Sequence, residues 1–129
     1  MKTLPTLAAA LSFVISAGPA LAGSASYVGN WPVTVTHSTG YNVNGTYCLT
    51  LTDYGGASLS GGFGNPTDGT FQLIARTLVA TIAVPVGTGG FDYLVFVAPA
   101  SHGNLAKGIL DYAGFPDLGK IAFGRKGGC

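Results

Sequence analysis

The chain has 129 residues, of which 47% are hydrophobic and only 9% charged; it holds 21 Gly and 7 Pro, and all five of its acids are Asp. Helix-rich proteins lean on Glu, Lys, Leu and Ala, so a chain without Glu and with this much Gly is excluded from that class. Six Lys and Arg against five Asp give a formal charge of +1, which lacks the basic footprint of a nucleic-acid binder, and the length fits one domain.

Residues 1–22 read as a secretory signal peptide. Lys2 supplies the positive start, Leu7 to Ala17 the apolar core, and Ala20-Leu21-Ala22 the A-x-A cleavage site. The apolar run is shorter than the roughly 20 residues of a membrane span, and Pro19 breaks it. Cleavage after Ala22 implies a secreted or periplasmic protein and leaves Gly23 to Cys129 as a single domain with five bases and five acids. Without net charge, its solubility rests on a Thr, Ser, Asn and Gly surface.

From Trp31 onward, apolar and β-branched runs alternate with Gly, Asn, Asp and Pro punctuation, the pattern of antiparallel strands joined by turns. The first run is Trp31 to His37, with Val33 and Val35 alternating with Thr34 and Thr36. The second, Asn44 to Asp53, puts Tyr47, Leu49 and Leu51 on one face. Ala57 to Phe63 is a weaker third run, and Asn65 to Gly69 is a turn cluster. Thr70 to Ala75 carries Phe71 and Leu73; Arg76-Thr77 turns into Leu78 to Val84; Gly87 to Gly90 breaks the chain. Asp92 to Ala98, Leu105 to Tyr112 and Lys120 to Lys126 complete eight runs.

Eight short strands at even spacing predict an all-β fold, a single antiparallel eight-stranded up-and-down barrel, with a β-sandwich as the alternative. The fifth and sixth runs are apolar on both faces, which predicts cover by the segment Ser24–Val28 or a loop, or else a homo-oligomer interface.

Export lets the only two cysteines, Cys48 and Cys129, form a disulfide. The residues available for catalysis are few. There are two His, no Glu, and no G-x-S-x-G, H-E-x-x-H or phosphate loop before a helix. Ser101 and His102 are chain neighbours whose side chains point apart. His37 and His102 read as surface residues, and Asp53, Asp68 and Asp117 as turn residues. The expectation is a non-enzyme without cofactor, metal site or membrane span. Asn44-Gly45-Thr46 reads as an Asn-Gly turn entering the second strand.

At Gly29-Asn30-Trp31 the chain resembles the G-x-W opening of lipocalins and avidin-like proteins, the calycin-type barrels. That resemblance implies that Trp31 plugs one barrel end and that Arg125, in Phe123-Gly124-Arg125, packs over it through a cation–π contact. Biotin sites of avidins use several Trp, and Trp31 is the only one here. The small secreted bacterial inhibitors of serralysin-type metalloproteases also look similar, with an early G-x-W, one disulfide and a C-x-L-x-L strand comparable to Cys48-Leu49-Thr50-Leu51.

The leading expectation is a secreted binding module for a small apolar ligand, held among the inward residues Tyr47, Leu49, Phe71, Leu73, Phe96 and Tyr112. A filled interior is the competing expectation. It would move function to the loops Ala98–Asn104 and Gly114–Gly119 and favour a protein partner, as in a protease inhibitor or a surface-assembly protein.

Overall fold

The structure is a computed structural model that describes residues 25–39, 43–61, 67–85, 89–112 and 115–129, with the backbone alone for 115–118. The expected leader, residues 65–66 of the turn cluster and residues 87–88 of the Gly-rich break lie outside the described residues.

A single turn of 3-10 helix, Ala25–Tyr27, precedes nine strands. These are β1 (Gly29–Thr36), β2 (Gly45–Leu51), β3 (Gly56–Ser60), β4 (Thr67–Ile74), β5 (Thr77–Pro85), β6 (Phe91–Ser101), β7 (Asn104–Leu105), β8 (Gly108–Tyr112) and β9 (Phe115–Phe123). The period-two pattern decides which face each residue takes. In β1, Trp31, Val33 and Val35 are buried while Asn30, Thr34 and Thr36 face water. In β5, Leu78, Ala80, Ile82 and Val84 are buried, with half-buried residues between them.

All pairings are antiparallel. Successive strands are neighbours, except that the two-residue β7 folds onto the end of β6 and β8 takes the next place in the sheet. Because β9 pairs with β1 and β5 with β6, the ring is unbroken. The fold is therefore a closed eight-stranded up-and-down barrel, and the sandwich alternative is excluded. Closure removes the unpaired edges that an open sheet must protect. The strands are staggered, as closure requires. Gln72, Val79, Val97, Ile109, Lys120 and Thr36 form one row across six strands, bringing the last residue of β1 level with the start of β8.

The core lies inside the ring. Leu49, Leu78, Ile82, Leu94 and Phe96 have 0% of their surface accessible, so no water-sized space adjoins them from either side. Among the described residues, side chains fill the barrel's middle. Two glycines permit close strand approach. A Cβ on Gly69 would collide with the Thr81 carbonyl, and one on Gly108 with the Val97 carbonyl.

Several boundaries differ from the sequence reading, among them that of β6, which runs on to Ser101 rather than ending at Ala98. β4 begins at Thr67 rather than Thr70, because Thr67 is buried opposite Leu59 and donates its hydroxyl to the Leu59 carbonyl at 3.3 Å. The expected run Leu105–Tyr112 is divided into β7 and β8 around Ala106-Lys107. The last strand is Phe115–Phe123 rather than Lys120–Lys126, so most of the expected Gly114–Gly119 loop is strand. Beyond Phe123 the tail turns back across the outer wall, where the Gly124 amide donates to Pro32 at 2.8 Å and the Gly127 amide to Asn30 at 2.7 Å. It ends at the disulfide Cys48–Cys129, Cα to Cα 5.9 Å.

Candidate functional site

Of the six expected inward residues, Leu49 and Phe96 are fully enclosed, and Tyr47, Phe71 and Tyr112 are buried. Their polar tips are occupied at the rim. The Tyr47 hydroxyl donates to the Val43 carbonyl at 2.7 Å, and the Tyr112 hydroxyl donates to Asp92 Oδ2 at 3.2 Å. Burial raises the Tyr47 pKa above its ordinary value. Leu73 differs from the other five. It is half-buried against the core at one barrel end, where it meets open space.

That end is the one Trp31 plugs. Trp31 is 3% exposed, and its indole N–H donates to the Tyr27 carbonyl at 2.9 Å. Tyr27 stacks on it with centroids 6.5 Å apart, and Phe123 meets it edge-on at 6.1 Å. The expected Arg125 contact is corrected by this geometry. Phe123 pairs with Val33 and so points inward beside Trp31, whereas Arg125 lies in the tail beyond β9 and is exposed. The basic residue that secures the plug is Lys126, whose Nζ donates to the Ser26 carbonyl at 2.8 Å. The segment expected to cover the fifth and sixth runs thus caps the barrel end instead, as far as it is described.

Two tight turns stand on either side of this plug. Ile74 pairs with Thr77, leaving Ala75-Arg76 as the β4–β5 turn; the sequence reading placed it one residue later. Ser101 pairs with Asn104, leaving His102-Gly103 as the β6–β7 turn, within what was expected to be the Ala98–Asn104 loop. All four turn residues have positive φ: Ala75 49°, Arg76 65°, His102 53° and Gly103 79°. Positive φ at both central positions is the signature of a type I′ hairpin, whose twist matches that of the strands. Three of the four are not glycine, so these turns hold conformations that L-residues resist.

The turns are tied together. The Ala100 amide donates to the Arg76 carbonyl at 2.8 Å, and the Gly103 amide donates to the Tyr27 hydroxyl at 3.2 Å. Between them opens a cleft of about 320 Å³ lined by Tyr27, Leu73, Arg76, Ala100, Ser101 and His102. Its floor is apolar and its wall rich in donors. Neither the Arg76 guanidinium nor the Ser101 hydroxyl has a partner among the described residues, and no acid lines the cleft. No hydrogen bond joins the Ser101 and His102 side chains among the described residues.

Charge is distributed unevenly along the barrel. Arg76, Arg125 and Lys126 lie in the turns and tail at the Trp31 end, where among the described residues Asp53 in the β2–β3 turn is the acid; Lys107 instead lines an outer groove with His37 and Lys120. Asp68 and Asp92 sit near the starts of β4 and β6, at the opposite end. His37 lines the groove with Lys107 and Lys120 whereas His102 lines the cleft beside Tyr27, so the two histidines are not brought together.

Sequence reasoning did not single out Tyr27 or Arg76. A usable signal was present in Phe71-Gln72-Leu73-Ile74-Ala75-Arg76-Thr77-Leu78. Two well-patterned strands leave two residues for the connection, and neither has the Asn or Gly that such a turn prefers. No family model, curated protein or solved structure matches this chain.

Proposed function

We propose that the chain is an exported, non-enzymatic recognition barrel in the manner of small secreted calycin-type barrels, with a structural interior and a partner that binds outside it. The observation that carries this reading is the absence of accessible surface on Leu49, Leu78, Ile82, Leu94 and Phe96. A barrel that carries an apolar ligand reserves space at these depths. Here the aromatic and aliphatic side chains take that space, which favours the protein-partner reading over the apolar-ligand one. Inhibition through a free N-terminal arm is disfavoured from residue 25 onward, because Ser26 and Tyr27 are bonded to Lys126, Trp31 and Gly103.

The test is native mass spectrometry of the oxidised chain, paired with titration of a fluorescent fatty acid monitored through Trp31, the sole Trp. The expected result is the mass of the disulfide-bonded chain alone and no saturable change in emission. A stoichiometric apolar passenger, lost on solvent extraction and restored by the fatty acid, would overturn the reading.

A further inference from the structure

From the donor-rich cleft beside Trp31 we infer a receptor for a carboxylate carried on a small apolar group, the C-terminal residue of a protein partner. This deepens the reading above and rests on it.

The chemistry of the lining selects the ligand. Arg76 and Ser101 offer N–H and O–H groups with no acceptor among the described residues, and the Tyr27 hydroxyl accepts from Gly103 while keeping its own proton to give. With no carboxylate in the wall, the site has an excess of donors, and an oxyanion corrects that excess. A guanidinium fork suits a carboxylate, which it can hold through two parallel bonds.

The other half of the cleft narrows the choice. Leu73, Ala100 and the Tyr27 ring form an apolar floor, which a hydrated phosphate would leave uncovered and an aliphatic side chain would fill. A volume of about 320 Å³ is near the lower bound of ligand pockets, room for one residue rather than an extended segment. The uneven charge acts over a longer range. Arg76, Arg125 and Lys126 draw an anionic chain end toward this end of an otherwise balanced molecule.

The site is also built to stay in place. Arg76 and His102 sit at the centres of two-residue turns joined through Ala100 and Gly103, so the backbone is already fixed and a ligand has only the exposed side chains to order.

The experiment is an amide and guanidinium NMR titration of the full oxidised chain with N-acetyl-leucine, N-acetyl-leucinamide and inorganic phosphate. The expected outcome is saturable shifts at Gly103, Ala100 and the Arg76 Nε–H with N-acetyl-leucine. Binding of the amide and of phosphate should each be about tenfold weaker, the scale of a lost charge-assisted bond or of an uncovered apolar floor.

Arg76→Asn should weaken N-acetyl-leucine about tenfold without lowering the melting temperature, because Asn tolerates positive φ better than Arg. Equal binding of acid and amide, phosphate binding as tight as N-acetyl-leucine, or unchanged affinity in Arg76→Asn would each overturn the inference. Failure of N-acetyl-leucine with no fatty-acid uptake refutes the cleft and leaves the outer-surface reading intact. Stoichiometric fatty-acid uptake refutes the outer-surface reading whatever the cleft does.

Discussion

The β4–β5 turn offers a perturbation whose two consequences have opposite signs. Ala75 and Arg76 hold φ of 49° and 65°, a region that costs an L-residue about 1–2 kcal/mol. Asn-Gly is the pair that type I′ geometry prefers. Replacing Ala75 by Asn recovers part of one cost. Replacing Arg76 by Gly recovers the other, less the roughly 0.5–1 kcal/mol that extra freedom adds to the unfolded chain. The double variant should gain about 1–2 kcal/mol.

In a domain near 100 residues that corresponds to a melting temperature about 5–10 °C higher. The measurement is thermal unfolding followed by circular dichroism with the disulfide intact, for the two single variants and the double. The same double variant should bind N-acetyl-leucine about tenfold more weakly, because the guanidinium is gone. A lower or unchanged melting temperature would refute the strain argument. Unchanged affinity would refute the role of Arg76. Natural chains keep unfavourable local choices where function asks for them, and this turn tests that idea directly.

Phe96→Ala removes a fully enclosed ring from the barrel centre and should cost about 3–5 kcal/mol by denaturant unfolding. If the variant stays folded, its new cavity should admit benzene-sized apolar molecules that the parent chain excludes. Tyr47 predicts an alkaline effect. Burial raises its folded-state pKa above the ordinary value, so its contribution is complete below the unfolded pKa near 10 and is lost as pH climbs through the folded value. Tyr47→Phe should therefore flatten the fall of melting temperature above about pH 10, and an unchanged slope would count against burial as the cause. Cys129→Ser opens a closed loop spanning 81 positions and should cost about 4 kcal/mol on the chain-entropy account, measured by denaturant unfolding of the reduced-type variant against the oxidised parent.

The fold was legible wherever strand alternation was clean. Val33 and Val35 against Thr34 and Thr36, or Tyr47, Leu49 and Leu51 against Cys48 and Thr50, admit one facing once a single core is assumed. The reading failed where a residue's local preference opposed its tertiary role. Asp68 and Gly69 are turn formers, yet they lie in β4, where Asp68 faces outward across from Ser58 and Gly69 yields space to the β5 backbone. Arg125 was placed by analogy. The position that matters follows from register, since Val33 pairs with Phe123 and the ring turns inward to Trp31. The cleft was hidden for a different reason. Tyr27, Arg76 and His102 lie in three segments far apart in the chain, and only barrel closure brings those segments to one end.

Closure also explains why a disulfide joins these two cysteines. Seven of the eight seams join strands that are consecutive or nearly so, where a short connection makes pairing cheap. The β1–β9 seam joins the two ends of the chain and carries four registered pairs, against nine between β5 and β6. Its partners are the farthest apart in sequence, so its loop-closure cost is the highest in the ring and its contacts among the fewest. The tail after β9 crosses the outside of β1, bonding to Pro32 and Asn30, and is fixed by Cys48 to β2 on the far side. The covalent link therefore clamps the seam from both flanks at the one place where topology gives no help. In Cys129→Ser, hydrogen exchange should therefore quicken first at the β1–β9 amides, Val33 to Thr36 and Lys120 to Phe123, while the β5–β6 amides keep their protection. A uniform acceleration round the ring would show that the disulfide acts on the unfolded chain alone.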